Sequence, residues 1–549
     1  MLETLLQAFL EVAQVQTIAL MLLGVCAGLI AGAIPGFTIA MAVVLTLPFT
    51  FGMSPAQGLA TMLAVYVGGL SGGLMSGVLT GIPGTPASVA TTFDGFPMAR
   101  AGRPGMALGL GVWASFFGGL VSAVLLVAFA PLLARVGLEF GPWDYFSLVL
   151  FALTMTASLA GENLLKGIIA GFFGLFVATV GEDDFAGVPR FTFGIDTLNS
   201  GFPFLPVLVG LFAFSQLLSD VEDRAIAIKP LMDTAKAKVV RVEHLAAIRT
   251  IFGSWVNLVR SALIGSLTGV LPAAGPAISN ILAYDQARKA SPTPEKFGTG
   301  HPDGIIASES ANNATAGGAL IMMMALGIPG DIVTAVMLGA LIIHNIAPSP
   351  TFIADNTQLA YAVFIAFFLA HFAMVAVQSV CLRAFLLIVR IPMYILAVVI
   401  ILYCGIGVFA LNNSISDIWV LFIFGIVGYV MRKAGFPLAP MILGVVLGKV
   451  AELNLARATA ISDDYTLFLS RPWSLFFIII AAFSLAFPWY QSQKGKQAWT
   501  LYYGPVMVLA SSVPLFMMQG WVRPSIAAVL VALAVYQLWA ATRGRTSAD

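Results

Sequence analysis

The chain is poor in charge. Of 549 residues, 10% are Asp, Glu, Lys or Arg and 59% are hydrophobic, whereas an ordinary soluble domain carries about 25% charge. A water-facing surface cannot be built from that mixture, so a soluble enzyme, a nucleic-acid binder and a disordered chain are excluded. The net charge of +1 offers nothing to a polyanion. Cysteine is scarce as well. Cys26, Cys381 and Cys404 stand alone in apolar stretches without CxxC spacing, so no disulfide framework is expected and each reads as a buried thiol. The histidines, His244, His301, His344 and His371, form no HExxH or Cys/His arrangement, and His344 and His371 read as packing residues. No GxxxxGK[ST] sequence is present, so the chain does not itself hydrolyse ATP.

What is abundant is uninterrupted apolar sequence. Residues Val12–Phe93 contain no Asp, Glu, Lys, Arg or His, and Ile391–Ser416, Pro472–Gln493, Gln497–Val522 and Pro524–Thr542 are likewise free of charge. A bilayer-spanning helix takes ~20 apolar residues. The chain therefore reads as an all-α, multi-pass membrane protein with roughly 14 membrane segments, several of them broken. Charge gathers between these runs, most densely in Asp220–Arg249. Glu182-Asp183-Asp184 reads as a solvated loop. The start, MLETLLQAFLEVAQVQ, has neither a basic opening nor a small-residue cleavage site, and reads as a short interfacial helix instead of a signal peptide. The broken segments leave the parity of crossing, and so the orientation, open.

Glycine and proline carry the pattern: there are 54 and 29 of them. Gly24, Gly28, Gly32 and Gly36, and again Gly69, Gly73, Gly77 and Gly81, recur at four-residue steps. That places them on one helix face, where small residues let helices touch closely in lipid. Each ladder ends in a stop. Proline removes a backbone donor and glycine permits a turn, so Pro35-Gly36 and Gly81-Ile-Pro83-Gly84 break their helices. Thr85-Pro86-Ala-Ser88 then has the form of an N-cap followed by a new helix. The grammar returns about 240 residues later. Pro272-Ala-Ala-Gly275 parallels the first stop, and Gly327-Ile-Pro329-Gly330-Asp331 parallels Gly81–Thr85; Gly-Ile-Pro-Gly occurs only at these two places. Paired interruptions in corresponding halves point to the central site of a transporter. New half-helices aim free N–H groups and a positive dipole end at the cavity, so an anion is held there without lysine. Kinks buried against neighbours are the alternative.

Within the apolar core the polar residues become candidates. Thr38, Ser71, Ser76, Thr80, Thr85, Ser88, Thr91 and Thr92 form the set in the first half, with Thr85 and Ser88 distinguished by following the break. Each hydroxyl either reaches a substrate carboxylate or bonds back to its own helix. Asp94 opens DGFP and reads as a structural, turn-like loop start. In the second half Glu309, Asn312 and Asn313 share a helix face and supply oxygens suited to Na⁺. Glu309 carrying a proton, or a polar network pinning two helices, are the alternatives. Asp331 occupies the place of Thr85 and would neutralise its own helix end. The reading is asymmetric: the Thr85 break takes carboxylate, with Pro35, Gly36, Thr38, Ser76, Thr80, Pro83, Gly84, Thr85, Ser88, Gly275, Asn312, Asn313, Pro329 and Gly330 as substrate candidates. Glu309, Asn313 and Asp331 lie nearer the coupling ion.

The runs GAIPGFTIAMAVVLTLPFTFGMSPAQGLATMLAVYVGGLSGG, GIPGTPASVATTFDGFPMARAG and AYDQARKASPTPEKFGTGHPDGIIASESANNATAGGALIMMMALGIPGD resemble the large membrane subunit of the tripartite tricarboxylate transporter family. The resemblance covers about residues 1–490. It implies a secondary transporter for organic carboxylates in a bacterial inner membrane, coupled to Na⁺ or H⁺ and holding no other cofactor. It also implies a small four-helix membrane partner and a periplasmic solute-binding protein. By the same analogy, residues 1–248 and 249–490 are two repeats, inverted, whose breaks meet near the midplane. Residues 491–549 depart from the family and add two apolar segments, Leu501–Met518 and Ile526–Trp539. Aromatic-rich Tyr361–Phe372 faces lipid or the partner protomer of a homodimer. A membrane-embedded enzyme lacks a catalytic set in this sequence; a channel stays open as the rival reading.

Overall fold

Break residues divide the chain into helices of two lengths. The computed structural model describes residues 2–34, 37–159, 163–183, 187–222, 241–272, 274–388 and 393–546. The helices are α1 (Leu2–Val12), α2 (Val15–Ala33), α3 (Ile39–Thr50), α4 (Pro55–Thr80), α5 (Val89–Arg100), α6 (Pro104–Gly137), α7 (Pro142–Leu159) and α8 (Leu164–Ala178). Next comes α9, in which Phe204–Val209 runs through a π-turn at Gly210–Phe214 into Ser215–Glu222. Then follow α10 (His244–Gly253), α11 (Trp255–Val270), α12 (Gly275–Ala290), α13 (Pro302–Leu326), α14 (Ile332–Ile343), α15 (Thr357–Ile388) and α16 (Met393–Asn412). The chain closes with α17 (Ile415–Lys433), α18 (Leu438–Ile461), α19 (Pro472–Gln493), α20 (Thr500–Phe516) and α21 (Val522–Thr546). Cys381, Pro35, Gly36 and Asp184, named from the sequence, have side chains outside the described residues. Cys404 is buried, whereas Cys26, expected to be, is only half-buried because its side of α2 is not fully covered.

Among the described residues, 8 helices are long and apolar enough to cross a membrane, and shorter apolar helices include α3 and α14. The chain is a multi-pass, all-α membrane protein. At 1.5 Å per residue a 12-residue helix such as α3 or α14 reaches about 18 Å, little more than half the ~30 Å hydrocarbon layer. Such a piece makes sense only as the continuation of a broken segment.

The chain forms two compact units: Met1–Leu138 with Gly194–Ala434, and Glu139–Phe193 with Gly435–Asp549. The first holds every candidate site residue. Its centre is α13, buried along nearly its whole length although it carries Glu309, Asn312 and Asn313. Helices α4, α5, α6, α11 and α12 surround it. Two further pairings repeat one design. Helix α2 lies on α4, and α11 lies on α13, so closely that glycine is required. A methyl on Gly28 would overlap the Val65 carbonyl oxygen, and one on Gly265 the Ala311 carbonyl oxygen. One on Gly32 would sit 3.0 Å from the Gly72 Cα, and one on Gly269 3.0 Å from the Gly318 Cα.

The second unit packs α18 on α7 and α8, with α19 on α7 and α20 and α21 following in series. Asp144 accepts hydrogen bonds from Arg471 (3.0 Å), the Ser474 N–H (3.0 Å) and the Gly141 N–H (2.8 Å), a buried carboxylate paired with a cation.

Replacing Gly32 or Gly269 by Val is expected to destabilise the detergent-purified protein by about 3 kcal/mol, the upper end of overpacking costs. Gly405→Ala, in α16 where an added methyl meets nothing within 4 Å, is expected to be neutral or to stabilise by about 0.5 kcal/mol. Thermal unfolding followed by intrinsic fluorescence reads both.

Candidate functional site: two junctions of broken helices

Both long hairpin helices end the same way. Helix α4 begins with a Ser54–Gln57 capping box and Pro55 in its first turn, and stops at Gly81 in the left-handed conformation (φ 77°). Helix α13 begins at His301, whose ring accepts the Asp303 N–H, and stops at Gly327 (φ 70°). Positive φ makes glycine the natural residue at each stop. Beyond the stops the chain folds back onto the helix ahead of it. A methyl on Gly84 would overlap the Gly32 carbonyl oxygen and sit 3.0 Å from the Gly73 Cα. One on Gly330 would overlap the Gly269 carbonyl oxygen and sit 2.6 Å from the Ala319 Cα. Each junction therefore joins the end of one broken helix to the end of its partner.

The two junctions differ in how the new helix starts. At the second, Asp331 caps α14: its Oδ1 accepts the Thr334 N–H and hydroxyl, each at 2.8 Å, and the Asp331 N–H donates to Thr334 Oγ1 at 3.0 Å. Asp331 Oδ2 accepts a hydrogen bond from the Tyr66 hydroxyl of α4. At the first junction a single 3₁₀ turn, Pro86–Ser88, precedes α5, so the α-helix does not begin directly after Thr85. Ser88 Oγ bonds back to the Thr85 backbone, donating to its carbonyl at 2.9 Å, while the buried Thr85 Oγ1 has no hydrogen-bond partner. A buried hydroxyl without a partner is costly, about 1–3 kcal/mol, and it lies where a new helix begins.

Around Gly84 the fold gathers Ser76, Thr85 and Ser88. A methyl on Gly84 would lie 2.6 Å from Ser76 Oγ, and one on Gly73 2.6 Å from Ser88 Oγ and 2.9 Å from Thr85 Oγ1. Pro83 is half-buried in the stop itself. Thr80 is spent on the helix end: it donates to the Ser76 carbonyl at 2.7 Å and accepts the Ile82 N–H. Thr38 caps α3 by accepting the Met41 N–H at 3.1 Å, and Ile39 beside it lies over Gly69. In the second junction Pro329 and Gly330 are buried, and Gly275 opens α12 with a positive φ of 59° and open space where a methyl would be.

Glu309 bonds to α5 and α6, whereas Asn313 and Asp331 both reach α4. Glu309, fully buried, accepts from Thr91 of α5 at 2.5 Å and from Ser115 of α6 at 2.8 Å. Asn312 sits beside the same carboxyl; its amide donates to the Leu70 carbonyl of α4 at 2.9 Å, and its Oδ1 is unpartnered. Asn313 pairs with Ser71 of α4 (3.3 Å) and Met374 of α15. Thus α13 spans the bundle with its polar residues turned to four neighbours, α4, α5, α6 and α15.

Asp94 corrects the sequence reading. It lies within α5, not at a loop start, and is fully buried. Its Oδ1 accepts the N–H groups of Gly298, Gly300 and His301 at 2.7–2.9 Å, and its Oδ2 accepts the Tyr284 hydroxyl at 2.9 Å. The structural role stands, and α5 runs on through Pro97 to Arg100. Tyr66, Ser115, Asn280 and Tyr284 were absent from the sequence-based candidates. Tyr66 had one signal, being the sole tyrosine in the charge-free run Val12–Phe93.

A multi-pass helical membrane protein with two matched junctions of broken helices is the class these features define. The chain belongs to the tripartite tricarboxylate transporter TctA family, which matches residues 18–443. It is the TctA-type membrane subunit of such a transporter, a family of transport proteins. An uncharacterized 52.8 kDa protein in the TAR-I ttuC′ 3′ region of Agrobacterium vitis is 34% identical over 395 residues, covering 71% of this chain and 77% of that protein. An uncharacterized protein in the TAR-II ttuC′ 3′ region of the same organism is 34% identical over 209 residues, covering 38% and 86%. No solved structure matches the chain.

Asp94→Ala, which leaves three backbone N–H groups without their acceptor, is expected to cost about 3 kcal/mol, and Tyr284→Phe about 1 kcal/mol. Unfolding in detergent, with proteolysis at Gly298–Gly300 as a local probe, measures both.

Proposed function

We propose that the chain is the permease through which organic carboxylates of the tricarboxylate and dicarboxylate class are imported across a bacterial inner membrane. A periplasmic solute-binding protein delivers the substrate, a small four-helix membrane subunit completes the complex, and a Na⁺ or H⁺ gradient drives uptake. Roughly 14 segments in two inverted repeats are the architecture this reading uses. The carrying observation is the first junction: the start of a new helix beside a buried Thr85 hydroxyl that has no partner. An unmatched hydroxyl donor at a helix start suits an anion, and Ser76, Gly84 and Ser88 stand around it. At the second junction the Asp331 carboxylate already fills the helix end, which disfavours an anionic substrate and favours a cation. Glu309, buried and bonded only through hydroxyl groups and a neighbouring amide, is a second cation or proton candidate.

Reconstitution of the complex in liposomes tests this. Uptake of labelled citrate or succinate should exceed its equilibrium level only with an inward ion gradient and the binding protein present. Downhill flux without either would identify a channel, and chemical conversion of the substrate an enzyme. Thr85→Val is expected to raise the carboxylate KM about tenfold, the equivalent of ~1.4 kcal/mol. Asp331→Asn is expected to change the ion dependence; an unaltered ion dependence would remove the cation from that junction.

A further inference from the structure

The buried carboxylates of the first unit are satisfied in different ways. Asp94 is held by three N–H groups and a phenol from a single region of chain, residues 284–301. Asp331 is held from two directions: by Thr334 in its own helix and by Tyr66, 265 residues away on α4. Tyr66 is fully buried. Among the described residues no Lys, Arg or His is paired with Asp331, so neutral donors alone stabilise its negative charge. Helix α4 is also the helix that ends at Gly81 and supplies Gly73 and Ser76 to the first junction. The reverse tie exists too. Asn280 of α12, a helix that starts at the second junction, donates to the carbonyls of Pro86 (3.3 Å) and Ala87 in the turn after Thr85. Each junction is thus gripped by a side chain whose own helix belongs to the other.

We propose that Tyr66 is a positioning residue that couples the two junctions: its hydroxyl holds the Asp331 carboxylate while the cation is absent and gives it up when the cation binds. The proposal rests on the cation reading of Asp331 given above. A donor on the carboxylate offsets part of the negative charge that would hold a cation there, so the cation and the hydrogen bond oppose each other. Breaking it frees α4 at mid-length, about 22 Å from Gly81 at 1.5 Å per residue. Because linkage is reciprocal, the factor by which cation raises carboxylate affinity equals the factor by which carboxylate raises cation affinity. A residue carrying that coupling alters both together.

The test uses the full complex in liposomes, with uptake of labelled citrate measured against Na⁺ at fixed pH and against external pH without Na⁺. Tyr66→Phe keeps the ring volume and removes only the competing donor. It is expected to lower the half-saturating cation concentration about fivefold and to make the citrate KM insensitive to cation. Thr334→Val removes a donor that does not reach α4, and should lower the half-saturating concentration while leaving KM cation-dependent. If Tyr66→Phe does not fold, difluorotyrosine at position 66, a stronger donor of the same shape, should raise the half-saturating concentration instead. Unchanged cation affinity and coupling in the Tyr66 variants, with ion dependence altered in Asp331→Asn, would overturn the proposal alone. Ion dependence untouched by Asp331→Asn would overturn the cation reading beneath it.

Discussion

Backbone-to-backbone approach at glycine is the constraint on which this architecture depends. In lipid there is little hydrophobic force between helices, so close packing and polar contacts must hold them. Here α2 meets α4, and α11 meets α13, at distances that exclude even a methyl group. Only that closeness lets the chain beyond Gly81 fold against Gly32, and the chain beyond Gly327 fold against Gly269. The junctions exist because the helices forming them touch through their main chains. Irregular backbone is tolerable where protein surrounds it, as at Gly327–Gly330, which is buried throughout, whereas Ile82 and Pro86 of the first junction are exposed.

A second theme follows from the scarcity of charge. The first unit keeps Asp94, Glu309 and Asp331 buried without a guanidinium or ammonium against them among the described residues. Hydroxyls, amides and backbone N–H groups do the stabilising. Asp94, with four donors on two oxygens, is a fully satisfied pin. Glu309 sits on the central helix and Asp331 at the second junction, each held by donors from more than one element. Asp144, in the other unit, has the Arg471 guanidinium and shows what a permanently paired carboxylate looks like in the same chain.

The stops were legible because their signals are local. Gly-Ile-Pro-Gly marks both, and the residue after each, Thr85 or Asp331, stands at the start of the next helix. The details between stop and helix were less legible. Pro86–Ser88 forms a 3₁₀ turn, which leaves the Thr85 hydroxyl unused instead of capping. DGFP looks like a turn, since Asp, Gly and Pro favour turns; in the fold Asp94 is helical, and its carboxylate is held by residues 298–301, which the local sequence could not reveal. The helix face shared by Glu309, Asn312 and Asn313 was readable from spacing. That four surrounding helices divide their hydrogen bonds was not, since spacing gives direction around a helix but not the neighbours.

By itself the sequence determined that this protein lives in a membrane, that it is helical, and where its helices break. Those outcomes come from composition and from backbone rules acting over a few residues: proline lacks a donor, and glycine alone enters the left-handed region cheaply. Tertiary structure decided which side chain answers which buried polar group. Tyr66 and Asp331 are 265 residues apart, and Thr91 and Glu309 218. A buried hydroxyl or carboxylate must find a partner, yet the chain specifies that partner only through the packing of whole helices.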